Sequence, residues 1–234
     1  MPHIVLVHGA FHGPWCFEPL IAPLRERGLT ATTPELPLTS LEEDVAAVRR
    51  VLDLLAADRA ARGDEAPVLL LGHSYGGAVI SAAGEHPLVG RLVLLCALAP
   101  DDGEAPNGGP VEIDAPFLAA LRGRVDFERA VVDAALAGTL FYPDASPAAA
   151  AEAVSKLRAG VTGRPGERIE RTAWRRRPTD YVVCAADPIL LPQSQRALAA
   201  RTGAKVHEIP GDHSPFLARP EMLADLLARI AGSA

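Results

Sequence analysis

Residues 69–78 read Leu-Leu-Leu-Gly-His-Ser-Tyr-Gly-Gly-Ala, an apolar run followed by the pattern G-x-S-x-G and then by small residues. This order predicts a nucleophile elbow, the sharp strand-to-helix turn that lifts a serine hydroxyl clear of a sheet. Gly72 and Gly76 fit it, because a side chain at either position would collide with the neighbouring strand or helix where the chain reverses. A structural Gly-Ser turn is the alternative, but the flanking strand and helix start favour Ser74 as a nucleophile.

The composition is that of an ordinary globular protein. The chain has 234 residues, of which 49% are hydrophobic and 22% are charged, so it forms one α/β domain or a core with a small insertion. A net charge of -6 disfavours general attraction to nucleic acid or to an anionic membrane surface. No apolar run approaches the roughly 18 residues that a membrane span needs, and the first residues resemble a core strand more than a signal peptide. We therefore expect a cytoplasmic protein without nucleic-acid or membrane partners.

The cysteines and the first histidines give no sign of a metal site. Cys16, Cys96 and Cys184 are widely spaced and odd in number, which predicts reduced thiols rather than a disulfide framework or a zinc site. His8 and His12 are four residues apart, but the glycines and proline around them make a helical metal-binding pair improbable. We expect neither a metal nor an organic cofactor.

The rest of the chain alternates between short apolar runs and amphipathic segments. The apolar runs lack a two-residue period, which predicts strands buried on both faces of a mostly parallel sheet of about six strands, flanked by helices. The predicted strands are 3–7, 29–33, 67–72, 91–96, 180–185 and 204–209. The predicted helices between them are 15–27, 40–60, 76–85, 191–201 and 219–232, the second with a capping box at Ser40 and Glu43.

The alternation is interrupted between two of these strands. Residues 101–177 show no convincing strand, but they carry three helical patches, at 127–137, 147–159 and 165–176. Surface helices are one interpretation, and a cap over the active site is the other, favoured because ligands bind outside the carboxyl ends of parallel strands. The predicted organisation is thus an α/β core of residues 1–100 and 178–234, with a helical cap at 101–177. The arginines of the third patch alternate with acidic residues, which favours a solvated helix over a nucleic-acid site.

A nucleophilic serine needs a general base, and in this motif the base follows the serine in the chain. His86 lies about a helix length from the elbow, and His207 lies within a predicted strand. His213 lies in the loop 210–215, just past the carboxyl end of the last predicted strand. His213 is therefore the predicted base, with a structural loop histidine as the alternative.

The base needs an acid to orient it. Asp187 closes the strand before the last one, which would bring its carboxylate within reach of His213. Asp101 and Asp102 follow another strand and are a second possible position. We favour Asp187, although a turn aspartate before proline is the structural alternative.

An oxyanion hole would combine the backbone N–H of Tyr75, the residue after the nucleophile, with an N–H from the loop at 8–13. Ala10 is the best candidate in that glycine-rich loop. Apolar side chains near these positions predict a pocket for a smallish apolar or aromatic acyl group. The candidate pocket residues are Phe11, Trp15, Leu98 and Phe141.

The stretches at 5–16, 72–77, 186–189 and 211–213 resemble the α/β-hydrolase superfamily, and within it the branch of plant methyl-ester esterases, bacterial esterases and plant hydroxynitrile lyases. The resemblance covers most of the core and fades in the insertion. It implies a Ser74–Asp187–His213 triad, an oxyanion hole at Ala10 and Tyr75, and a small helical cap. Caps of this branch often contribute to dimer contacts, so a homodimer is possible.

Two positions separate the chemistries of that branch. The lyases have threonine where this chain has Gly9, and lysine where it has Ser214, and only a lysine there would supply positive charge to a departing cyanide. The expected function is hydrolysis of a small-molecule carboxylic ester through an acyl-enzyme. The alternatives are a thioesterase, lactonase or cyclase of secondary metabolism, a hydroxynitrile lyase, and a non-catalytic ligand-binding receptor on the same fold.

Overall fold

A single parallel sheet organises the chain. The structure, a computed structural model, describes residues 1–113, 115–122 and 131–232. The six strands of the sheet are β1 His3–Val7, β2 Thr30–Thr32, β3 Val68–His73, β4 Val89–Leu95, β7 Thr179–Cys184 and β8 Lys205–Ile209. They pair in the order β2-β1-β3-β4-β7-β8, and every neighbouring pair is parallel. The predicted α/β-hydrolase fold, with about six mostly parallel strands, is confirmed.

Helices cover both faces of the sheet. The helices of the core are α1 Glu18–Glu26, α2 Leu41–Ala61, α3 Gly76–Ala83, α7 Pro192–Thr202, α8 Pro215–Ala218 and α9 Pro220–Ala231. One face of the sheet packs against α2, α3 and α7, and the other packs against α1 and α9, which gives two apolar layers around buried strands. Ser40 caps α2 by accepting a hydrogen bond from the Glu43 N–H, as the capping box predicts. A 3₁₀ turn, Pro14–Phe17, precedes α1, so the first predicted helix divides into two pieces.

The predicted elbow lies between β3 and α3. Ser74 has φ +53°, a left-handed conformation that is unusual for a residue with a side chain. A Cβ added at Gly72 would lie 2.5 Å from the Gly76 carbonyl oxygen, and one added at Gly76 would lie 2.6 Å from the Val7 carbonyl oxygen. Both glycines are therefore required by the close approach of backbone segments.

The insertion differs from the prediction in several respects. It contains α5 Ala134–Phe141 and α6 Pro147–Ser155. It also contains α4 Ala115–Ala120 and a short antiparallel pair, β5 Leu121–Arg122 and β6 Val131–Val132, none of which was predicted. The predicted helix at 165–176 is wrong, because that segment holds only the 3₁₀ turn Ala173–Arg175. Gly166 turns the backbone to φ +87°, and Arg171 and Arg175 pair with Glu85 and Asp101 of other segments. The segment still contributes Ile169, Ala173 and Trp174 to the core.

The other two patches differ from the prediction in their bounds. In the patch predicted at 127–137, residues 131–132 form β6, and the helix that follows runs past the predicted end to Phe141. Helix α5 begins after Asp133, whose side chain caps it, and residues 127–130 of the predicted patch lie outside the described residues. Helix α6 begins at the predicted Ser146–Pro147 start and ends at Ser155.

The three cysteines are free thiols, and all three are buried. No helix within the described ranges has both the length and the apolar character that crossing a membrane requires.

Candidate active site

Backbone hydrogen bonds hold the strained conformation of Ser74. The Ser74 N–H donates to the Leu95 carbonyl oxygen at 3.2 Å. The Ser74 carbonyl oxygen accepts from the N–H groups of Gly77 and Leu98, each at 3.0 Å. The N–H and C=O groups of Ser74 are thus both held by neighbouring backbone. Ser74 is half-buried and lies at the carboxyl edge of the sheet, where ligands of parallel sheets bind.

Asp187 and His213 form a buried pair at the same edge. Asp187 follows β7 and His213 follows β8, which are neighbouring strands, and His213 Nδ1 lies 2.7 Å from Asp187 Oδ2. The other carboxylate oxygen, Oδ1, accepts from the N–H groups of Ile189 at 2.8 Å and Leu190 at 3.0 Å. Gln195 Nε2 donates to Oδ2 at 2.9 Å. The carboxylate therefore has a fixed orientation, and it holds the His213 tautomer with the proton on Nδ1 and the lone pair on Nε2.

His73, which precedes Ser74, connects the elbow to the His213 loop. Its Nε2 lies 2.8 Å from the His213 carbonyl oxygen, and the two imidazole rings are 4.8 Å apart between centroids. Burial holds the pKa of His73 well below its usual value, so the ring is neutral and its Nε2–H donates to that carbonyl. The sequence indicates no role for His73, whose contact joins the loop of the predicted base to the residue before the predicted nucleophile.

The two predicted oxyanion donors have free N–H groups. Within the described part of the chain, neither Ala10 N nor Tyr75 N makes a hydrogen bond. The Ala10 loop passes close to the nucleophile, since a Cβ added at Gly9 would lie 2.9 Å from Ser74 Cβ. Both donors are therefore available to a substrate oxygen near Ser74.

His8 fixes the peptide that carries the Ala10 N–H. The Leu36 N–H donates to His8 Nε2 at 3.1 Å, so the ring proton must be on Nδ1, which lies 2.9 Å from the Gly9 carbonyl oxygen. Burial lowers the pKa of His8 to about 3, which keeps the ring neutral. Because C=O and N–H point in opposite directions across a peptide plane, this bond sets the direction of the Ala10 N–H.

Tyr75 is anchored from α2. Its hydroxyl donates to Asp44 Oδ2 at 2.8 Å, and the Leu38 N–H donates to Asp44 Oδ1 at 2.8 Å. Asp44 is fully buried, and this burial raises its pKa from 3.8 to about 6.

We expect the contribution of the Asp44 carboxyl to the stability of the folded state to decrease as the pH rises from about 4 to above 6. The folded state keeps a proton on Asp44 that the unfolded chain releases near 3.8, so the free energy of unfolding falls by up to about 3 kcal/mol over this range. Asp44→Asn should remove this slope, since the tyrosine hydroxyl can rotate to accept from the amide. Urea unfolding at several pH values would measure it, with exposed Glu42→Gln on the same helix as control. An unchanged slope in Asp44→Asn would refute the prediction.

Three of the four predicted pocket residues lie around the site. The centroid of the Phe141 ring is 6.2 Å from that of the His213 ring and 6.3 Å from that of the Phe11 ring. The Leu98 N–H donates a hydrogen bond to the Ser74 carbonyl oxygen. Trp15 is placed differently, because it stacks on His12 at 5.6 Å and lines a cavity of about 290 Å³ whose wall does not include Ser74.

The alternative acids are occupied elsewhere. Asp101 pairs with Arg175, and Asp102 accepts a hydrogen bond from the Thr172 N–H at 2.5 Å. Asp187 is thus the candidate acid that the described structure brings to His213.

One cluster has the residue types of a metal site. Atoms of His73, Cys96 and His213 that could serve as ligands lie within 4.8 Å of one another among the described residues. Burial raises the pKa of the Cys96 thiol well above its usual range, and a protonated thiol is a poor metal ligand. The His213 Nδ1 atom is also engaged with Asp187. The chemistry of these side chains therefore fits proton transfer better than metal binding.

Comparison with known proteins gives matches along most of the chain. The profile of the alpha/beta hydrolase family matches residues 4–226. A carbendazim hydrolyzing esterase from a Nocardioides species is 35% identical over 130 residues, which are 50% of this chain and 53% of that protein. Esterase PIR7B from Oryza sativa subsp. japonica is 26% identical over 98% of this chain and 95% of its own length. The crystal structure of a pyrethroid hydrolase from Sphingobium faniae has a TM-score of 0.78 at 25% identity, covering 99% of this chain and 98% of that one.

Proposed function

Because the chain belongs to the alpha/beta hydrolase family, we propose that it hydrolyses a small carboxylic ester through an acyl-enzyme on Ser74. The observation that carries the proposal is the buried pair of His213 and Asp187, which contacts His73, the residue before a serine held at φ +53°. A nucleophile, an oriented base and two free N–H groups at one edge of the sheet are the parts that acyl transfer requires.

In the proposed mechanism, His213 Nε2 removes the proton of Ser74 as its oxygen attacks the ester carbonyl. Asp187 stabilises the resulting imidazolium, and the N–H groups of Ala10 and Tyr75 stabilise the oxyanion. The C–O bond to the alcohol then breaks, and His213 gives the departing oxygen its proton. Water repeats the sequence on the acyl-enzyme, which releases the acid and restores Ser74.

The position after the base supports hydrolysis over cyanide elimination. Ser214 is fully buried, and its hydroxyl supplies no positive charge for a departing anion. The names of the similar proteins support ester cleavage as the reaction class. A thioester or a lactone would use the same residues, so these substrates are the second candidates.

We also infer a cytoplasmic location, which buried free thiols at Cys16, Cys96 and Cys184 would suit.

Fluorophosphonate labelling combined with a substrate panel tests the proposal. We expect one equivalent of probe to attach to Ser74, located by mass spectrometry of the peptide that contains it. Turnover of p-nitrophenyl acetate, butyrate and benzoate, compared with a thioester and a lactone series, would identify the acyl class. A wild-type protein that is neither labelled nor active on any member of the panel would favour the ligand-binding receptor instead.

A further inference from the structure

Arg158, just beyond α6, binds three carbonyl oxygens of the core. Its backbone N–H donates to the Phe11 carbonyl at 2.9 Å, and its side-chain Nε donates to the His12 carbonyl at 2.9 Å. Its Nη2 donates to the Leu36 carbonyl at 2.6 Å and also pairs with the Glu35 carboxylate. One residue of the insertion therefore holds two separate segments of the core at once.

Both segments belong to the support of the oxyanion hole. Phe11 and His12 lie in the loop at 8–13, and Phe11 adopts φ +65°, a strained conformation that persists only where surrounding contacts enforce it. Leu36 is the residue whose N–H fixes the His8 tautomer, and His8 in turn orients the peptide of Ala10. The guanidinium of Arg158 thus binds both the loop at 8–13, through His12, and the segment of Leu36, whose N–H fixes the His8 tautomer. These two segments together orient the Ala10 N–H.

A second residue of the insertion supports the same loop. The Tyr142 hydroxyl lies 2.8 Å from His12 Nε2, and His12 Nδ1 lies 2.8 Å from the Ala10 carbonyl oxygen. Burial lowers the pKa of His12 to about 4, so its ring is neutral, with the proton on Nδ1 and with Nε2 accepting from the tyrosine. The Ala10 carbonyl is therefore held through His12, and the carbonyls that follow it are held by Arg158.

We propose that Arg158 is a positioning residue for the oxyanion hole, which keeps the Ala10 N–H directed toward the oxygen that becomes negative in the transition state. The inference rests on the proposed acyl-transfer function. Arg158 does not touch the reacting atoms and acts through the loop at 8–13 and through His8. A methionine would fill similar space but leave the His12 and Leu36 carbonyls without their donor.

The test is Arg158→Met, with Arg175→Met as the matched control. Arg175 is also an arginine of the insertion paired with a carboxylate, but its contacts are with Asp101 and Trp174 rather than with the loop. We expect Arg158→Met to lower kcat for a p-nitrophenyl ester about 10- to 100-fold, less than the loss of a whole oxyanion donor, with KM within about threefold of wild type. Rates are taken per active site, titrated to the end point with the fluorophosphonate, so a misfolded fraction does not contribute.

A transition-state analogue separates positioning from general damage. The affinity for an alkylboronic acid, which forms a tetrahedral adduct with serine, should fall by the same factor as kcat. Wild-type kcat and boronate affinity in Arg158→Met, or a change in KM alone, would overturn the inference without affecting the proposed function.

A readout without catalysis tests the positioning itself. In protein labelled with ¹⁵N-histidine, the His8 ring nitrogens should show a single neutral tautomer in the wild type and in Arg175→Met. They should shift or broaden in Arg158→Met, and unchanged His8 signals would also overturn the inference. A wild-type protein that shows no turnover and no labelling would instead reject the proposed function, and with it the catalytic meaning of the Arg158 contacts.

Discussion

Replacement of Ser74 by alanine is expected to lower kcat for a p-nitrophenyl ester by about 10,000-fold or more. The proposed oxyanion donors, at Ala10 and Tyr75, and the imidazole of His213 would remain, but no hydroxyl would be left to form the proposed acyl-enzyme. Because alanine and serine tolerate φ +53° about equally poorly, the thermal unfolding temperature should change little. Stopped-flow absorbance at saturating substrate and a thermal melt of the same sample would measure both quantities.

Ser81→Ala is the control for this substitution. Ser81 lies in α3, the helix that follows Ser74, and its hydroxyl donates to the Gly77 carbonyl oxygen at 2.8 Å. We expect it to retain the wild-type rate and to react with fluorophosphonate, which Ser74→Ala should not do. Equal rates in Ser74→Ala and wild type would assign any observed hydrolysis to another group and reject the acyl-enzyme.

The elbow and the sheet could be predicted from sequence because their signals are local. A turn that brings backbone segments into contact requires glycine at Gly72 and Gly76, and a strand buried on both faces must be apolar throughout. The order of elements then places Asp187 and His213 at the ends of neighbouring strands. The predicted helix at 165–176 failed although Ile169, Ala173 and Trp174 are buried in the core, because Gly166 turns the backbone to φ +87° and the arginines pair with acidic residues of other segments.

The supporting contacts could not be predicted in the same way, because they join segments that are distant in the chain. Arg158 and His12 meet only after the insertion folds over the loop at 8–13, and nothing in their spacing indicates it. Asp44 did leave a signal, since it follows Leu41 by three residues and precedes Val48 by four, so it lies on the apolar face of α2. A carboxylate on a buried face needs partners, and Tyr75 supplies one of them.

Asp187→Asn is expected to lower kcat by about 10,000-fold while preserving the fold. Oδ1 accepts two backbone N–H groups, from Ile189 and Leu190, so the amide oxygen of asparagine must take that place. Its NH₂ group would then face His213 Nδ1, which would have to become the acceptor, moving the ring proton to Nε2. A histidine protonated at Nε2 is not a base toward Ser74.

Gln195 opposes this orientation, because its Nε2 donates to the Oδ2 position at 2.9 Å and would face the asparagine NH₂ group. The reverse orientation is costlier, because it would set that NH₂ group against two backbone donors, the N–H groups of Ile189 and Leu190. The matched control is Asp102→Asn, which alters the alternative acid considered from sequence and should keep the wild-type kcat. Steady-state kinetics of both variants, with circular dichroism to confirm folding, would decide between the two acids. A large loss in Asp102→Asn together with a normal Asp187→Asn would move the acid to the end of β4 and remove the buried pair from the mechanism.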